Sequence, residues 1–150
     1  MSREQFKKKL KKGEEVERKL VEYIKKKYPK TYKIEGENKD GDIVIPEIKK
    51  TIEVKNDIGS KDSNNYFIEF SCNKKDSGIA STKADYWVIY DEFDCMWIET
   101  GRLRTMCRFY GKYWEGIPKG EKSTIKAYLV PQNILKDNAD LIKNGKIYDL

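Results

Sequence analysis

Apolar residues recur at helical spacing in the first part of the chain and at strand spacing after it. Over residues 2–28, Phe6, Leu10, Gly13, Leu20 and Ile24 are separated by steps of four, three and seven, which predicts one long amphipathic helix. Stepping four on from Gly13, or three back from Leu20, lands on Glu17, so an acid stands in the middle of a face that otherwise points at the core. A buried carboxylate needs a partner. Glu17 is therefore either part of a site or a glutamate salt-bridged at the edge of the stripe.

Period-two alternation follows. Ile43 and Ile45, then Ile52 and Val54, predict two strands joined by Pro46-Glu47-Ile48-Lys49-Lys50. Tyr66–Ser71 and Asp85–Tyr90 read as further strands, with Cys95–Ile98 returning as a hairpin partner. Between them, residues 73–79 form a loop leading into a short helical turn. Gly101–Tyr113 predicts a second helix whose core face is Leu103, Met106, Cys107 and Tyr110. Tyr113, Trp114 and residues 118–122 read as surface loop before a strand at Thr124–Val130, a short helix at Gln132–Lys136 and a last strand at Ile147–Tyr148. No repeat or linker interrupts this order. The expectation is a single domain over residues 1–150, of α/β class, with a mixed central sheet of about five strands flanked by helices.

Alternation also sorts the chemistry. If Ile52 and Val54 face the core, Glu53 and Lys55 share the opposite face, and Asp42 lies opposite Ile43 and Ile45. Ten residues separate Asp42 from Glu53, enough for a tight antiparallel connection that sets one acid beside the other. Adjacent carboxylates repel unless a positive group lies between them, and a hard divalent cation takes such oxygens. The same Glu-Val-Lys pattern also fits a solvated strand face carrying a cross-strand ion pair.

At 150 residues and 38% hydrophobic content the chain is long enough for one proper core. Its net charge of +6 is concentrated at the start, where residues 1–35 carry thirteen Lys and Arg against six Asp and Glu. Lys8, Lys9, Lys12 and their neighbours would suit a phosphate backbone or an anionic membrane surface. The glutamates that interrupt this face, and its lack of tryptophan anchors, argue against the membrane. Arg104, Arg108 and Lys112 follow at four-residue steps, forming either a second backbone-binding stripe or a solvated face partnered by Asp91, Glu92 and Asp94. Lys74, Lys75 and Ser77 stand in a loop that could touch a phosphate. The chain has no histidine, which excludes His-based nucleases, His-based zinc sites and a Ser-His-Asp triad. Cys72, Cys95 and Cys107, odd in number and widely spaced, read as reduced thiols. With no apolar leader or membrane-length run, the expected location is cytoplasmic.

Three segments in order, Lys12-Gly13 to Glu17 within Gly13–Leu20, Gly41-Asp42-Ile43-Val44 and Ile52-Glu53-Val54-Lys55, resemble the PD-(D/E)xK nuclease superfamily. Within it they are similar to archaeal-type Holliday junction resolvases, and residues 73–79 with 82–87 look like a segment of phage-encoded relatives. The superfamily proline before the aspartate is replaced by Gly41, and residues 100–150 match no element of the family. The resemblance implies a restriction-endonuclease-like core. It makes Asp42 and Glu53 ligands of Mg2+ or Mn2+, with the Val54 carbonyl as a further ligand and Glu17 joining through a second ion or a water. Lys55 would orient the attacking water or stabilise charge on the phosphate. It also implies branched DNA as substrate, hydrolysed by a homodimer, in the host cytoplasm if the protein is phage-encoded. Two alternatives stay open: another duplex or flap endonuclease of the superfamily, and a basic nucleic-acid-binding protein without catalysis.

Overall fold

In a computed structural model, residues 3–36, 41–57, 63–91 and 95–142 are described, residues 5–12 and 140–142 by their backbone alone. The long helix is α1 (Arg3–Lys25). The strands β1 (Tyr32–Lys33), β2 (Ile43–Ile45), β3 (Lys50–Asn56), β4 (Asn65–Cys72), β5 (Lys75–Asp76), β6 (Tyr86–Tyr90) and β7 (Cys95–Glu99) follow. Then come α2 (Thr100–Tyr110), β8 (Lys112–Gly116), β9 (Ile125–Pro131), α3 (Gln132–Asp137) and β10 (Asp140–Ile142). The expected last strand at 147–148 lies outside the described residues.

The chain is α/β. Six strands form a mixed sheet in the order β1-β2-β3-β6-β7-β10, in which only β3 and β6 run parallel. A parallel pair needs a long crossover. Here the crossover contains β4, β5 and a 3-10 turn at Gly78–Ala80, and β4 pairs with β9 in a second, four-stranded antiparallel sheet of order β5-β4-β9-β8. This second sheet is not foreseen in the hydrophobic pattern. Its member β8 occupies residues expected to be loop.

Alternation along the central strands supplies two apolar faces. Ile43, Ile45, Ile52, Val88 and Tyr90 pack under Val16, Leu20, Val21 and Ile24 of α1. Trp87, Ile89, Met96 and Ile98 pack on the other side against α2, α3 and the inner face of the second sheet. The α1 face is thus centred on Val16, Leu20 and Ile24, four residues apart. Glu17, turned about 100° from Val16, sits at the margin rather than mid-face, its side chain 18% exposed. Tyr110, expected in the core, is 51% exposed because α2 ends there.

Asp85 locks the start of the central sheet. Its carboxylate accepts bonds from the Thr51 N–H at 2.9 Å and the Thr51 hydroxyl at 3.3 Å, while its carbonyl accepts the Thr100 N–H that opens α2. On the other side of the core, the Tyr66 hydroxyl donates to buried Asp91 at 2.8 Å, and Lys136 approaches the same oxygen at 3.5 Å. Asp91 is thus tied to Tyr66 and Lys136; Glu92 and Asp94 lie outside the described residues. All three cysteines are free; Cys95 and Cys107 are buried.

Candidate active site at the β2–β3 junction

The antiparallel register pairs Ile43 with Ile52 and Val44 with Thr51. Continued one step, it brings Asp42 opposite Glu53. At Asp42 the regular ladder gives way. The Asp42 N–H donates to the Ile52 carbonyl at 2.7 Å, and its Oδ2 accepts the Val54 N–H at 2.8 Å. The carboxylate is thereby clamped against β3. Gly41 makes this approach possible: its φ is +120°, and a Cβ there would lie 2.7 Å from the Ile52 carbonyl oxygen. Proline, with φ fixed near about −65°, could not occupy this position. The glycine that departs from the superfamily pattern is thus required by the local backbone.

Glu53 and Lys55 share the face that carries Trp87 and Ile89. Lys55 Nζ lies 3.2 Å from Glu53 Oε1 and 5.6 Å from the centre of the Trp87 ring. Glu17 approaches from α1 and pairs with Lys33, whose Nζ lies 3.3 Å from Glu17 Oε2. Lys33 went unrecognised in the sequence because it belongs to a two-residue strand with no alternation to read. Glu69, on β4, lines one cavity of about 340 Å³ with Lys55 and Trp87.

The three acids form one electrostatic unit. Burial raises Glu17 above the ordinary carboxylate value, the charge of Asp42 adds to this, and Lys33 only partly offsets it. Burial also raises Asp42, against the pull of the Val54 N–H, Lys55 and Lys33. Glu53 is raised by burial and by Asp42, against Lys55. For Lys33, burial works against the ammonium, but the hydrogen bond and charge of Glu17, with Glu35 and Glu14 behind it, prevail and raise its pKa. Each carboxylate is disfavoured as an anion, so the cluster is an environment that a cation would relieve.

Among the described residues, no three His, Cys, Asp or Glu side chains converge closely enough to cage a metal ion. Glu17 is paired with Lys33 and Glu53 with Lys55, and the β2–β3 register makes Asp42 and Glu53 the opposed carboxylate pair. That pair suits Mg2+, which commonly uses one or two carboxylates and keeps several waters.

The other expected contacts are dispersed. Lys74 and Lys75 are exposed at the β4–β5 turn. Ser77 Oγ is buried without a hydrogen-bond partner. Arg104 is committed to structure, donating to the carbonyls of Ile79 and Thr82 at 3.1 Å each, while Arg108 is exposed. Lys112 lies on β8, so the expected stripe ends with the helix. The side chains of Lys8, Lys9 and Lys12 lie outside the described residues. No helix among the described residues is long and apolar enough to cross a membrane. No family model matches this chain, and no curated protein or solved structure matches it at a significant level.

Proposed function

We propose that the chain is a metal-dependent DNA endonuclease of the PD-(D/E)xK kind, acting at branched structures in the manner of a Holliday junction resolvase. The observation that carries this reading is the meeting of Asp42, Glu53 and Lys55 where β2 leaves β3, with Glu17 electrostatically coupled to Asp42. An α/β core with a mixed sheet, Asp42 just before the second strand and Glu53 on the third, fits the resemblance in the order of elements. Asp42 and Glu53 would hold Mg2+ or Mn2+, with the Val54 carbonyl beside them and Glu17 reaching the ion through water or a second ion. The bound ion would polarise the phosphate and acidify a water.

The chain's own groups do the rest. The Val54 N–H fixes one oxygen of Asp42, so the carboxylate is oriented before substrate arrives. Lys55 is 45% exposed and paired with Glu53, so its ammonium can turn to a phosphate oxygen or hold the attacking water. Trp87, stacked beneath Lys55, limits where the ammonium can go. The basic start of the chain supplies affinity for the phosphate backbone. Cutting two symmetric strands of a junction calls for two sites, hence a homodimer.

The pairing of both site lysines with acids favours a second reading, a nucleic-acid-binding protein whose acids and lysines are structural. One experiment separates the two. With Mg2+ or Mn2+, the protein should cut a four-way junction in preference to linear duplex of the same sequence. Asp42→Asn should abolish cutting and leave salt-sensitive binding in place. Intact junctions, flaps and supercoiled plasmid would exclude the nuclease, and equal cutting of duplex and junction would exclude branch specificity.

A further inference from the structure

A cavity of about 530 Å³ lies away from the acids at the C-terminal end of α1. Its size falls within the range of about 300–1,000 Å³ typical of ligand sites. It opens where β2 ends and β6 begins, about 10 Å along β2 from Asp42 by strand rise. Half-buried aromatic rings make its walls: Tyr23 and Tyr28 from the helix end, Tyr86 and Trp97 from the central strands. The last two rings are in tilted contact with centroids 5.5 Å apart.

Cations line its margin. Lys26 and Lys27 stand over the rings of Tyr23 and Tyr28 at 6.0 and 5.4 Å, and the exposed Arg102 is held by a bond to the Asn138 carbonyl at 3.3 Å. Glu99 is the one acid on the lining among the described residues. Flat apolar walls beside several ammonium and guanidinium groups complement a ligand that is aromatic at one end and anionic at the other. Glu99 further provides an acceptor for an exocyclic amino group.

We infer that this cavity binds one unpaired nucleotide of a DNA strand, its base against the aromatic walls and its phosphate on Arg102, Lys26 and Lys27. Bases paired within a duplex are stacked and cannot enter, so the cavity selects strands with unpaired positions. Stacking a base on an aromatic side chain is sequence-tolerant, while a carboxylate acceptor favours the amino group of cytosine. The inference goes beyond the proposed cleavage and does not depend on it. Binding measured in EDTA reports on the cavity alone, so junctions left uncut in Mg2+ would remove the nuclease reading without touching this one.

The test compares single-stranded oligodeoxycytidylate with an abasic strand of equal phosphate number, at one salt concentration, on the full chain. The cytidylate strand should bind at least about ten-fold tighter, the effect of a stacked base. Tyr28→Leu should weaken its binding about five-fold or more and leave the abasic strand unaffected, while Tyr28→Phe binds as the parent does. Equal affinity for the two strands, or a Tyr28→Leu variant that binds both as before, would overturn the inference. So would an equal loss for both strands, which places the defect in the fold or the backbone contacts.

Discussion

Replacing Asp42 by asparagine should make the protein more stable in the absence of divalent cations. Burial raises Asp42 above the ordinary carboxylate value, and its charge pushes up Glu17 and Glu53 in turn. A carboxyl whose folded-state pKa is raised favours its protonated form. The penalty is absent below the ordinary carboxylate value, develops as pH rises through it and is complete above the raised value. At pH 7 all of it is present. Asparagine removes the charge yet keeps an oxygen to accept the Val54 N–H, the bond that Asp42 makes at 2.8 Å. Carboxylates about 6 Å apart, near the spacing of opposed cross-strand groups, repel by about 1–2 kcal/mol at an effective dielectric of roughly 30–50. Lost attraction to Lys55 and Lys33, which are 45% and 27% exposed and screened by water, offsets about half of that. The net gain is about 0.5–1 kcal/mol, or about 1–4 °C in the melting midpoint of a domain this size. Melting followed by circular dichroism in EDTA should show the gain at pH 7 and lose it near about pH 3.5, below the ordinary carboxylate range. A variant that melts below the parent at pH 7 would mean that favourable contacts outweigh the burial of Asp42, and the electrostatic account of the site would fail.

Three further outcomes are expected. Gly41→Ala places a Cβ 2.7 Å from the Ile52 carbonyl oxygen at a φ of +120°, and both obstacles are backbone. It should lose about 2–3 kcal/mol in urea denaturation, and an unchanged midpoint would contradict the close approach of Gly41 to β3. Lys33→Met strips Glu17 of its ammonium partner and should cost about 1 kcal/mol at pH 7. The loss should shrink on acidification as Glu17, which burial raises above the ordinary carboxylate value, takes up a proton; a loss that grows on acidification would refute the pairing. Burial pushes the Cys107 thiol up to about 12, so in the native protein near pH 8 iodoacetamide should modify the partly exposed Cys72 first. Equal rates at the two thiols would show that Cys107 is more accessible than its packing implies.

The legibility of this chain follows how strongly each segment buries one face. β2, β3, β4, β6 and β7 were readable because each alternates against a core, and the turn through Pro46 set the β2–β3 pairing and with it the neighbourhood of Asp42 and Glu53. β8 was not, since Tyr113 is 54% exposed, Lys112 and Glu115 also face solvent, and no residue of the strand is fully buried, leaving no apolar rhythm. The second sheet as a unit was hidden because, although β4 and β9 each read as strands, no local pattern pairs them across more than fifty residues. Arg104 shows a different limit. Its spacing from Arg108 is that of a charged stripe, but its guanidinium turns back to the 3-10 turn that follows β5, a tertiary contact that no local pattern encodes.

Glu17 joins these strands of reasoning. Spacing from Gly13 and Leu20 placed it at the centre of the buried face; spacing from Val16, which is 1% exposed, places it at the edge. The edge is also the position from which it can couple to Asp42. Glu53 and Lys55 project from the sheet face opposite α1, whereas Glu17 belongs to the α1 side, so across the middle of the sheet the backbone would separate them. Asp42 lies where the ladder between β2 and β3 opens, and its charge acts on Glu17 on one side and on Glu53 on the other. The site therefore forms at the start of β2, and the backbone of Gly41 puts it there. A substitution at Gly41 should accordingly uncouple Glu17 from Glu53 even where the fold survives, and the midpoint gained on neutralising Asp42 should be smaller in a Gly41→Ala background than in the parent. Equal gains in the two backgrounds would show that the acids meet without help from the glycine.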